Sequence, residues 1–147
     1  MNEMIKTIKE IHKNDLCMFK IGTFYHCYGR DAYILSYIFG YKMKSLEKNY
    51  KECGFPVSAI NKIMAKLEIL KINYILIDRR NNYEIDDKID FKDLNEYETY
   101  YEKANIYLNY KSRIDNINSF LLENMNRKDF RKILSQIEEV IYERREV

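Results

Sequence analysis

Apolar residues along the chain change period several times, and each change marks an element. Met4, Ile5, Ile8 and Ile11 recur at helical spacing, with Asn14-Asp15 as the stop. LCMFKI (16–21) is a short apolar run, followed by Gly22-Thr23 and then FYHCY (24–28). Two β-prone runs around a glycine turn predict a hairpin or a bent strand pair. Strand alternation in the second run puts Phe24, His26 and Tyr28 on one face, with Lys20 expected beside them, and Tyr25 and Cys27 on the other. DAYILSYIFG (31–40) predicts a helix with Asp31 as N-cap and Gly40 just past its end. YKMKS (41–45) reads as a short extended piece and residues 45–54 as a polar loop. Pro56 stands where a helix would begin, and Ile60, Ile63, Met64 and Leu67 give that helix an apolar stripe. NYILID (73–78) is dense enough in apolar residues for a central strand; RRNN turns, YEI pairs back, and DDKIDFKD is polar.

From Leu94 the period is helical. Leu94, Tyr97, Tyr101, Ala104 and Leu108 step by three and four, and Ile114, Ile117 and Leu121 continue after a phase shift. Asn126 to Asp129 offers a cap for a last helix carrying Phe130, Ile133, Ile137 and Val140. The chain therefore divides into an α/β unit over 1–93 and a helical C-terminal extension over 94–147, ending in a helical hairpin, without internal repeat or low-complexity linker.

Composition narrows the class. At 147 residues, 46% hydrophobic and 33% charged, the chain is a globular domain long enough to bury a core. No apolar run approaches the length of a bilayer span, and the mixed Lys/Glu amino terminus is not a targeting peptide, so a cytoplasmic location without membrane association is expected. Cys17, Cys27 and Cys53 form no C-x-x-C pair and predict buried, reduced thiols; no metal is expected, because His26 and Cys27 would point to opposite faces. The net charge of +2 is too small to announce a nucleic-acid binder by itself; residues 1–93 carry +3 and the remainder −1.

Catalytic patterns do not emerge. There is no G-x-x-x-x-G-K-[ST] loop, no G-x-G-x-x-G turn and no G-x-S-x-G elbow. Asp86, Asp87 and Asp90 cluster in a polar stretch that reads as solvated. A non-enzymatic protein needing no cofactor is expected.

Two segments together resemble the amino-terminal mismatch-recognition domain, domain I, of MutS. DLCMFKIGTFYHCYGRDAYILSYIFGYKM is similar to its strand–turn–strand–helix opening, and CGFPVSAINKIMAKLEILKINYILIDRR to its later G-[IF]-P segment, helix and strand. The similarity covers roughly residues 13–85 in order and spacing. It implies an α/β (α+β) fold: a mixed β-sheet flanked by helices, here with a C-terminal helical hairpin. In the family a phenylalanine after the turn enters the minor groove and stacks at the mispaired base, and Phe24 takes that place. His26 falls on the family's glutamate, which hydrogen-bonds the displaced base, and Thr23 on its turn aspartate; at both positions the sequence departs from the pattern. Nothing in the sequence matches the connector, lever, clamp or ATPase that follow domain I in MutS. Freestanding proteins of this kind occur beside reverse transcriptases of diversity-generating retroelements, which makes such a polymerase, or another protein, an expected partner.

Two classes of function follow. In one, the Phe24 face binds nucleic acid (duplex DNA, a DNA–RNA hybrid or structured RNA), with Lys20, Thr23, Phe24, His26, Lys42, Lys44, Arg79 and Arg80 as contact residues. In the other, the chain is an adaptor of a reverse-transcriptase complex that reads no bases. Lys42, Lys44, Lys48 and Lys51 suit a phosphate-contacting patch or an ordinary solvated loop, and Arg79-Arg80 has the same two readings. Tyr97, Tyr100, Tyr101 and Tyr107 suit packing against the α/β unit better than a stacking platform. The oligomeric state is left open.

Overall fold

The computed structural model describes residues 2–47 and 50–145. In chain order these form α1 (Glu3–Ile11), β1 (Leu16–Ile21), β2 (Phe24–Tyr28), α2 (Arg30–Phe39), β3 (Met43–Ser45), β4 (Lys51–Pro56), α3 (Ile60–Ile69), β5 (Tyr74–Asp78), β6 (Glu84–Ile89), α4 (Tyr97–Glu123) and α5 (Phe130–Arg145). The strands make one sheet in the order β3-β4-β2-β1-β5-β6. β1 and β5 run parallel and the other pairs antiparallel, so the sheet is mixed, as the resemblance implies.

β1 lies inside the sheet and is apolar without alternation because both its faces are covered. Leu16 and Met18 enter the larger core, with Leu35 of α2, Ile63 and Leu67 of α3, and Tyr97 of α4. Cys17 and Phe19 enter a smaller core on the opposite face, with Ile5 of α1, Tyr28, Ile75 and Ile77. α1 packs with Ile5 buried and Ile8 half-buried, while Met4 and Ile11 remain exposed. The stripe of α3 and the cap at Gly40, whose φ is 75°, form as the sequence predicts.

Several local expectations give way to tertiary contacts. Asp31 is not the N-cap of α2; Gly29 is. Asp31 is fully buried two positions further on, where it accepts the Cys17 N–H (3.1 Å) and the Tyr97 hydroxyl and pairs with Lys9 Nζ at 2.7 Å. Converging donors of this kind are what make a buried carboxylate tolerable. Residues 51–56, read as loop and helix start, form β4, whose alternate residues Cys53 and Phe55 are buried. DDKI belongs to the solvated edge strand β6. Leu94 is exposed in a short 3-10 turn, and the helix begins at Tyr97.

The chain divides into two compact units, residues 1–108 and 109–147. In the first, the tyrosines of α4 serve packing. Tyr97 is buried, Tyr100 and Tyr101 pack against the core, Tyr101 tilts against Tyr33, and Tyr107 meets Tyr37. In the second, no residue of α5 is buried, and Ile114, Ile117 and Val140 are exposed. No helix among the described residues is long and apolar enough to cross a membrane.

Candidate functional site

Ile21 pairs with Phe24, so Gly22-Thr23 is a two-residue hairpin loop. Gly22 takes a φ of 65°, a conformation that side-chain-bearing residues resist, which explains glycine there. The Val57 N–H donates to Thr23 O at 2.9 Å and ties the loop to the approach of α3. Phe24 emerges from this turn with its ring 46% exposed, where most phenylalanines are buried.

Cross-strand register settles which residues share the Phe24 face. Phe24 lies opposite Pro56, His26 opposite Gly54, and Tyr28 opposite Glu52, while Glu52 lies opposite Lys44. Paired residues point the same way, so Lys44, Glu52, His26 and Phe24 occupy one face. Lys20 does not join them: it pairs with Tyr25 and Asp78, and therefore projects from the other face. The two-residue turn decides this, because it sets Ile21 rather than Lys20 against Phe24.

Phe24, His26, Lys42, Lys44, Glu52 and Gly54 line a pocket of about 240 Å³. His26 Nδ1 meets Glu52 Oε1 at 2.5 Å, and the imidazole stacks on the Tyr28 ring at 6.5 Å and 14°. Gly54 lies opposite His26; a Cβ there would press on Tyr25 O at 3.1 Å and lie at ordinary contact distance, 3.7 Å, from His26 Nδ1. Burial pushes the Tyr28 hydroxyl well above its ordinary value, and the Glu52 charge adds to the effect, so this tyrosine stays protonated. Lys42 and Lys44 are exposed at the pocket rim. Lys51 instead bonds Ser45 Oγ at 2.6 Å, on the opposite face from Lys44, and Lys48 lies outside the described residues.

Arg79 and Arg80 are exposed in a 3-10 turn after β5, with the Arg80 N–H held by Asp78 Oδ1 at 2.9 Å. Because β1 and β5 are parallel and Lys20 pairs with Asp78, these arginines leave the sheet at the same end as Gly22-Thr23. The sheet thus gathers Thr23, Phe24, Arg79 and Arg80 at one tip, with His26, Lys42 and Lys44 behind it. Glu52 is the site residue that sequence reasoning missed. Its signal was the alternation of KECGFP, hidden by the glycine and proline.

Among the described residues, no group of three or more His, Cys, Asp and Glu is placed to hold a metal ion. The three cysteines are buried and free, and burial pushes Cys53 up to about 12.

A family model for MutS domain I matches residues 1–76, a span running from α1 into β5 and including the hairpin, the pocket and α3. Arg79 and Arg80 lie beyond it. No curated protein matches the chain.

Proposed function

The chain belongs to the MutS domain I family, and from that footing we propose that it is a non-catalytic nucleic-acid-binding protein that engages duplex DNA through the Phe24 turn. MutS domain I is a DNA mismatch-recognition domain. The observation that carries the reading is the half-exposed Phe24 ring at the tip of a hairpin, backed by a pocket that His26, Glu52, Lys42 and Lys44 help to line. An apolar wedge can enter the minor groove, unstack a base step and kink the duplex, at about a few kcal/mol per step recovered in contacts with the bent DNA. Mispaired or unpaired steps unstack more cheaply, and selectivity arises there. Arg79, Arg80, Lys42 and Lys44 supply phosphate contacts around the ring, and Lys20 a contact on the other face.

The test is fluorescence anisotropy at about 100 mM salt, comparing the chain with Phe24→Ala on matched and mismatched duplexes. The variant keeps its thermal midpoint and loses at least about tenfold in affinity for the mismatched probe, about 1.4 kcal/mol. Equal affinities of both proteins for both probes would overturn the proposal. The same probes built as DNA–RNA hybrids and structured RNAs give the order of preference.

A second reading is favoured by the exposed apolar residues of the 109–147 unit. There the protein acts as an accessory factor of a retroelement, an adaptor that holds a reverse transcriptase without reading bases itself. Co-purification with a reverse transcriptase encoded nearby, lost on Ile114→Asp with Ile117→Asp, supports this; co-purification that survives both substitutions counts against it.

A further inference from the structure

The pocket behind the wedge holds a pair that neither residue explains alone. Glu52 reaches His26 from the neighbouring strand, and the 2.5 Å contact requires a proton between two atoms that could both accept. An ionised carboxylate only accepts, so His26 Nδ1 carries that proton. In a neutral imidazole the second nitrogen is then an acceptor, and the tautomer is set by the partner of the first. No other hydrogen bond reaches the ring among the described residues, which leaves Nε2 open.

We propose that Glu52 is a positioning residue for base recognition: it presents His26 Nε2 as a hydrogen-bond acceptor, so that the pocket selects an unpaired base bearing a ring N–H. This rests on the nucleic-acid reading above. The ligand class is thymine or uracil through N3–H, and guanine through N1–H; adenine and cytosine offer no ring N–H.

The surroundings are built for this geometry. Gly54 lies opposite His26, where the imidazole reaches across β4 toward Glu52; a Cβ there would press on Tyr25 O and touch the ring at ordinary contact distance. Stacking on Tyr28 fixes the ring plane. Phe24 and His26 are two residues apart on one strand face, roughly 7 Å along it, so a base displaced against the Phe24 ring lies beside the imidazole. The charged and titratable groups facing the pair are Lys42, Lys44 and Tyr28. The two lysines border the same pocket, where they meet the phosphate of the displaced nucleotide. A pocket of about 240 Å³ is below the usual range for a drug-sized ligand and suits a single base.

The experiment uses two duplexes at mildly alkaline pH. One carries a single unpaired thymidine; the other carries its difluorotoluene isostere, which keeps the shape and lacks the N–H. The full chain is expected to prefer thymidine by about tenfold or more, the scale of one good base contact. In Glu52→Ala and Glu52→Gln that preference is lost, the two duplexes binding with equal affinity; Phe24→Ala weakens both duplexes alike. Imidazole ¹⁵N spectra give a readout that a merely structural role would not move. Nε2 is unprotonated in the native chain, and in Glu52→Gln the tautomers mix. Equal binding of the two duplexes by the native chain, a preference that survives Glu52→Ala, or a protonated Nε2 in the neutral ring overturns the proposal while leaving the wedge reading intact. Failure of the native chain to bind either duplex overturns both.

Discussion

Asp31→Asn isolates the charge at the centre of the first unit. Asp31 is fully buried, and its partner Lys9 is 13% exposed, with Nζ 2.7 Å from the carboxylate and also bonded to His12 O and Asp15 O. Burial works to lower the Lys9 pKa, and the Asp31 carboxylate outweighs it, so the ammonium is held above its ordinary value. Burial correspondingly pushes Asp31 up, opposed by Lys9, Tyr97 and the Cys17 N–H. Asparagine keeps the shape: its oxygen can accept from Lys9 and Cys17, and its amide can donate to the Tyr97 hydroxyl oxygen. What it removes is the charge facing Lys9. Coulomb attraction at this separation is about 6 kcal/mol at an effective dielectric of about 20, before desolvation is subtracted. Removing one partner of a buried pair costs about 3–5 kcal/mol, and that is the expected loss. It would consume much of a typical stability of about 5–15 kcal/mol. Lys9→Met should cost a comparable amount, because it strands the carboxylate. The double variant should be more stable than either single one, since no unpaired charge remains. Urea unfolding followed by far-UV circular dichroism at pH 7 measures all four proteins. Strictly additive losses, or a loss below about 1 kcal/mol for Asp31→Asn, would refute the ion-pair reasoning.

The same network sets an alkaline limit. Tyr97 is raised from its ordinary 10.0, first by burial and then by Asp31. A raised group stabilises the fold below its unfolded pKa and loses that contribution as pH rises, so the thermal midpoint should fall from about pH 10 upward; Tyr97→Phe should flatten part of that slope. The cysteines should resist a thiol reagent at pH 8 in the native state and react on unfolding, because burial raises Cys17, Cys27 and Cys53 alike; rapid native labelling would contradict the buried placement. His26→Glu should set two carboxylates against each other at a cost of about 1–4 kcal/mol, recovered by adding Glu52→Gln, with thermal unfolding as the measure.

What could be read from the sequence was what local pattern controls. The alternation of FYHCY put Phe24 and His26 on one face, the Gly22 turn made the hairpin, and the stripes of α1, α3 and α4 named buried residues such as Ile5, Ile63, Leu67 and Tyr97. Non-local partners decided the rest. Asp31 has the propensity of an N-cap, yet Tyr97, 66 residues away, and Lys9 of α1 draw it into the core. Lys20 was misplaced because hairpin register turns on loop length, and one residue of slip exchanges the faces. β4 was hidden because Lys51, Glu52, Gly54 and Pro56 carry weak strand propensity; pairing with β2 and β3 and the burial of Cys53 and Phe55 override it.

That missed strand bears directly on the pocket. Considered as a string, position 26 carries an imidazole where the resemblance implies a carboxylate, and so lacks the fixed negative charge. In the sheet, the residue opposite His26 is Gly54, and two positions back along β4, on the same face, stands Glu52. The carboxylate is displaced by one strand, and the imidazole bridges the gap. Three positions bear on this: a side chain at 54 would press on the Tyr25 carbonyl beneath the ring, an apolar residue at 52 would free the tautomer, and glutamate at 26 would repel Glu52. Substitutions at 26, 52 and 54 should therefore be interpreted as changes to one hydrogen-bonded unit, and under the proposed function the chemistry offered to a base belongs to the pair.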